Sequence, residues 1–130
     1  ALELEPLAGD TPLRLRLGGP SVLLGSSAVL SLGLTLHELG TNAVKYGALA
    51  VPEGRVEVSW FLRDDKGRTF VDLLWKESGG PTVRTPKRKG FGSRLIEGSI
   101  AGTLGGSVSI DYDPAGIVAR LSFPFSATAH

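Results

Sequence analysis

Leu13-Arg14-Leu15-Arg16-Leu17 alternates strictly between apolar and basic side chains, the period of two that one-sided burial imposes on a strand. Gly18-Gly19-Pro20 breaks the pattern. Beyond it the period changes. Leu32, Leu36, Leu39 and Ala43 recur at helical spacing and predict a buried seam on a helix. Ser26 or Ser27 is the expected N-cap, and Tyr46 or Gly47 the end, with glycine as the stop. Val56-Glu57-Val58-Ser59-Trp60 alternates again, and Asp64-Asp65-Lys66-Gly67 is a hairpin signal. Residues 70–75 are nearly all apolar, as suits a central strand. Residues 78–92 read as a loop rich in Gly, Pro and cations. A second helix is expected over about 93–101, ended by the glycines of 102–106. Strands at 108–112 and 118–123 form a last hairpin around Asp113-Pro114-Ala115-Gly116. Two helices and about five strands, mostly hairpin-linked, predict an α+β fold. Its form is a two-layer α/β sandwich, with a mixed, mostly antiparallel sheet and helices on one face.

Composition narrows the classes. At 130 residues the chain suits one domain, spanning 1–130. The absence of cysteine excludes a disulfide frame or thiolate metal site. A net charge of +1 gives no general attraction to nucleic acid or to an anionic membrane. Apolar runs are broken well before membrane-spanning length. The first residues, Ala-Leu-Glu-Leu-Glu, have neither Met nor a basic leader and read as a cut from a longer protein.

A second stripe on the first helix is polar: Ser31, Thr35, Glu38, Asn42 and Lys45, in steps of four and three. Such stripes are most often solvated faces. Here a carboxylate, a carboxamide and an ammonium fall on consecutive turns, a set suited to phosphoryl chemistry. Glu38 can accept a proton or orient a nucleophile. The Asn42 oxygen is a hard ligand for Mg²⁺, and Lys45 can neutralise phosphate oxygens. His37 stands one residue off this stripe. Further on, Glu77-Ser78-Gly79-Gly80-Pro81 follows the central strand, and its glycines permit close backbone approach to a ligand. Gly90-Phe91-Gly92 precedes a helix start whose Ser93, Arg94 and Leu95 amides attract anions. Arg84, Lys87, Arg88 and Lys89 flank that place with positive charge.

The run His37-Glu38-Leu39-Gly40-Thr41-Asn42-Ala43-Val44-Lys45-Tyr46-Gly47 resembles the N box of the HWE histidine kinases. These are bacterial sensor kinases with the GHKL ATPase fold, named for a His in that box and a Trp-x-Glu further on. Both are here, as His37 and Trp75-Lys76-Glu77. The glycine segment 90–96 is similar to their second glycine box, and 81–89 to a short ATP lid. The resemblance runs from about Leu13 to Pro124. In the wider group the adenine-reading acid is Asp; here it is Glu77, and Pro81 replaces the last glycine of that motif.

The resemblance implies a cytoplasmic catalytic domain that binds ATP with Mg²⁺. It implies transfer of the γ-phosphoryl group to a histidine on a separate dimerisation domain, with a response regulator downstream. Glu38 and His37 would be catalytic, and Asn42 the metal ligand. Lys45, Glu77, Gly79, Arg84, Lys87, Arg88, Gly90, Phe91, Gly92, Ser93, Arg94 and Leu95 would join Asn42 around ATP. Two rivals are a GHKL serine kinase of anti-sigma type and a nucleotide-sensing module without kinase activity. A nucleic-acid binder rests on the basic segment alone.

Overall fold

A computed structural model describes residues 2–4, 15–83 and 105–125. The elements are β1 (Leu2–Leu4), β2 (Leu15–Gly18), β3 (Val22–Leu24), α1 (Ser26–Lys45), a 3₁₀ turn (Ala48–Ala50), β4 (Arg55–Asp65), β5 (Arg68–Ser78), β6 (Ser107–Asp113) and β7 (Gly116–Phe125). Five strands form one sheet in the order β2-β4-β5-β7-β6. β2 runs parallel to β4, and every other neighbour is antiparallel. The expected mixed, mostly antiparallel sheet is therefore present, with β5 at its centre. β1 and β3 pair separately. Neither was expected, because three-residue strands are too short to carry a period. The second helix expected at 93–101 lies outside the described residues. Among the described residues no helix is long and apolar enough to cross a membrane.

Alternation sorts each strand into two faces. Val56, Val58 and Trp60 of β4 share a buried face with Val71, Leu73 and Trp75 of β5 and Ala119, Leu121 and Phe123 of β7. Leu32, Leu39 and Ala43 of α1 close over them in one cluster, with Leu36 at its margin. Burying each large side chain contributes roughly 1.5–3 kcal/mol before chain entropy. The Trp60 indole N–H donates to the Pro20 carbonyl at 2.6 Å, which ties the break after β2 to this core.

Three boundaries differ from expectation for physical reasons. The N-cap of α1 is Gly25, with no side-chain cap bond, and Ser26 is already helical. β4 runs five residues past Trp60 because Phe61 to Asp65 pair with Arg68 to Asp72, although the segment is exposed. Its turn, Lys66-Gly67, has φ of 51° and 81°, the hand that matches strand twist. β5 runs on to Ser78, which places Glu77 inside the strand rather than beyond it.

The sheet's other face carries a polar network among apolar side chains. Arg63 Nε donates to Asp72 Oδ2 at 2.6 Å, and Ser122 Oγ donates to Asp72 Oδ1 at 2.7 Å. Arg63 also lies over the Phe70 ring, 4.7 Å from its centroid. The Arg63 hydrogen bond is the main cause that holds the Asp72 carboxyl below the usual carboxylate range, with Ser122 assisting. A depressed folded-state value contributes stability above the unfolded carboxylate pKa, and that stability is lost as pH falls through the folded one. Asp72→Asn should therefore cost about 0–1 kcal/mol at neutral pH, as an exposed pair does. The cost should shrink toward zero in acid. Urea unfolding at pH 7 and pH 3 checks both; an equal cost at the two values would contradict the charge argument.

Candidate active site

The polar stripe of α1 changes character along its length. Ser31 and Thr35 are 4% and 1% exposed, and Thr35 Oγ1 donates back to the Ser31 carbonyl at 2.9 Å. This half is an internal seam, neither solvated nor open to a ligand. Glu38 and Asn42 are half-buried, while His37 and Lys45 are exposed. The side chains able to act on phosphate therefore gather in the last two turns. Lys45 is the basic residue of the final turn, where the helix dipole favours a cation.

Glu77 completes the arrangement from the sheet. Residues two apart on a strand share a face, so Trp75 and Glu77 both point inward and Lys76 is exposed. Glu77 is only 3% exposed. Its Oε2 accepts the Trp75 indole N–H at 2.9 Å, and its Oε1 accepts the Ala48 backbone N–H at 2.9 Å. Burying a carboxylate is costly unless donors replace water, and here each oxygen has one. Each also keeps further lone-pair capacity for a ligand. Ala48 lies three residues past the end of α1, so this carboxylate joins the central strand to the exit of the polar helix.

Glycines make that junction possible. A Cβ on Gly47 would collide with Glu77 Oε1, and one on Gly116 with the Glu77 carbonyl. A Cβ on Gly80 would press on the Ala48 backbone at 2.5 Å. The expectation that Gly47 is a helix stop needs correcting. Its φ is −110°, open to any residue, and α1 already ends through Tyr46 and Gly47 amides bonded to the Asn42 and Ala43 carbonyls. Glycine stands there because the carboxylate does. Gly79 has φ of 73° and lies against the Glu53 carbonyl. Val83 N–H donates to the Pro114 carbonyl at 3.1 Å, which fastens the start of the basic segment to the β6–β7 turn.

Arg84, Lys87, Arg88, Gly90, Phe91, Gly92, Ser93, Arg94 and Leu95 lie outside the described residues. Among the described residues no three His, Cys, Asp or Glu side chains converge as a metal cage. The half-buried Asn42 is a single oxygen donor, which fits Mg²⁺ carried mainly by phosphates and water. A cavity of about 570 Å³, lined by Phe61, Leu74, Arg120 and the Asp72 cluster, opens on the opposite sheet face and includes none of the candidate residues. Sequence reasoning missed the Trp75 indole and the Ala48 amide as partners of Glu77. The spacing of two between Trp75 and Glu77 on a strand was the available signal.

No protein-family model matches the chain. It is 48% identical over 124 residues to the Blue-light-activated histidine kinase 1 of Erythrobacter litoralis, and 40% identical over 124 residues to the Blue-light-activated histidine kinase of Brucella anthropi. These matches cover 93% and 95% of this chain but 33% and 25% of the relatives, so the chain spans a third or less of their length. The fold is similar to the solved histidine kinase domain from the Erythrobacter litoralis EL346 blue-light activated histidine kinase. The TM-score is 0.67 at 17% identity, covering 86% of this chain and 51% of that one. Sheet and helix thus have the fold of histidine-kinase catalytic domains, consistent with the GHKL type. Within that class the relatives support an HWE-type histidine kinase domain.

Removing the Glu77 carboxylate strands two buried donors, each at about 1–3 kcal/mol. Glu77→Ala should lower the unfolding free energy by about 2–5 kcal/mol. Urea denaturation measures it, and a loss below about 0.5 kcal/mol would mean that both donors readily find other acceptors.

Proposed function

We propose that this domain binds Mg·ATP and passes the γ-phosphoryl group to a histidine on a separate dimerisation domain, from which a response regulator takes it. One observation carries the reading: Glu77 is hydrogen-bonded to Ala48 just past the helix that bears Glu38, Asn42 and Lys45. An acid suited to a base's amino group and an oxygen-and-ammonium set suited to phosphates are thereby joined through one hydrogen bond. The relatives named histidine kinases support transfer to histidine over the serine-kinase alternative.

In this reading Glu77 accepts from the adenine amino group, and Gly79 lets backbone approach the base. Asn42 supplies a protein oxygen to the metal, which when bound neutralises the charge on the phosphates. Lys45 and His37 approach the phosphate oxygens. Arg84, Lys87, Arg88 and residues 90–95 are the further candidate contacts to ATP. The acceptor imidazole nitrogen attacks phosphorus; the bond to the β-phosphate oxygen breaks, and ADP leaves with that electron pair. Glu38 orients the imidazole and takes its N–H proton. Positioning and charge neutralisation carry the rate, as in phosphoryl transfer generally.

Two outcomes check the roles. Isothermal titration of an ATP analogue should give weaker binding with EDTA than with Mg²⁺, and Asn42→Ala should reduce that difference. Equal affinity in both conditions would remove Asn42 from the metal. Glu38→Gln, assayed with an added histidine-bearing domain, should slow transfer by about 10²–10⁴-fold while nucleotide affinity stays near that of the parent. Binding without any transfer by the unsubstituted domain would favour the nucleotide-sensing alternative.

A further inference from the structure

The Trp75 indole is buried and its N–H is hydrogen-bonded. Trp75 is 5% exposed within the core shared by α1 and the sheet. Its ring edge faces Gly40 of α1, where a Cβ would sit 3.9 Å from Cη2. The indole N–H therefore has a fixed direction, and Glu77 Oε2 lies on it at 2.9 Å.

A glutamate carboxylate has a broad, two-fold terminal torsion. The Ala48 amide fixes one oxygen, but a carboxylate held at one oxygen can still turn about that contact. A second donor on the other oxygen removes the turn. We propose that Trp75 is a positioning residue for base selection: its N–H locks the plane of the Glu77 carboxylate so that an acceptor faces a 6-aminopurine. This rests on the reading of Glu77 as the adenine contact. A guanine ring brings a carbonyl oxygen to the same place, and acceptor against acceptor is repulsive. A carboxylate free to turn can withdraw from that repulsion, so selectivity depends on the lock as well as on the charge.

The test compares two like substitutions. Trp75→Phe keeps an aromatic ring and removes the N–H. Trp60→Phe does the same on the neighbouring strand, where the lost bond is to the Pro20 carbonyl. Affinities for Mg-bound analogues of ATP and GTP are measured on each. W75F should reduce the ATP-to-GTP preference about tenfold, the worth of one hydrogen bond. W60F should weaken the fold and leave the ratio unchanged, because a merely structural loss acts on both nucleotides alike. A preference in W75F equal to that of the unsubstituted chain overturns the proposal. An unsubstituted chain that binds ATP and GTP equally overturns the adenine reading of Glu77, and the proposal with it.

A second measurement leaves Trp75 in place. The chain has two tryptophans, so emission from W60F comes from Trp75 alone. At equal occupancy the ATP analogue should shift that emission and the GTP analogue should not. Bound ATP analogue with no emission change overturns the lock even if W75F fails to fold.

Discussion

A carboxylate with almost no access to water sits where the central strand meets the end of the polar helix. Glu77 is 3% exposed, and its two oxygens accept from an indole on its own strand and from an amide past α1. Donors on both oxygens offset the cost of burying a charge in that position. The need for them runs outward. It keeps the backbone of residue 48 close to β5, and it demands glycine at position 47, where a Cβ would strike the carboxylate. It also helps fix where α1 leaves off relative to the sheet.

The candidate chemistry inherits its geometry from this junction. The buried first half of the polar stripe, with Thr35 bonded back to Ser31, anchors α1 by its seam. Within the stripe only Glu38, Asn42 and Lys45 keep accessible polar groups, and they lie in the turns nearest the Glu77 contact. Anchoring one end and offering the other fits the proposal that this helix holds phosphates. The same division appears in the sheet. One face is buried against α1, and the other carries the Arg63–Asp72–Ser122 network.

The Trp-x-Glu spacing acquires a physical meaning from these contacts. On a strand, residues two apart face the same way, so an indole donor can reach a carboxylate placed two residues later. The longer reach of Glu compared with Asp brings an additional torsion, and a donor beside it removes that freedom. A family signature becomes a hydrogen bond with a direction.

Much of the architecture was legible in the sequence. The alternation of β4, the apolar run of β5 and the helical seam of α1 each report local burial, and burial on one side leaves a period that composition cannot hide. Glu38, Asn42 and Lys45 could be placed on one face for the same reason. Tertiary structure decided the rest. Pairing with β5 extended β4 through an exposed segment, and three-residue β1 and β3 were too short to show a pattern. That Ser31 and Thr35 are buried while Glu38 and Asn42 are partly open depends on what covers each turn of α1. Of the donors to Glu77, Trp75 lies two residues away on the same strand, a spacing visible in the sequence, but Ala48 lies 29 residues away. A hydrogen bond between residues so separated leaves no period behind it, because it is set by where the chain returns in space and not by which residues follow one another.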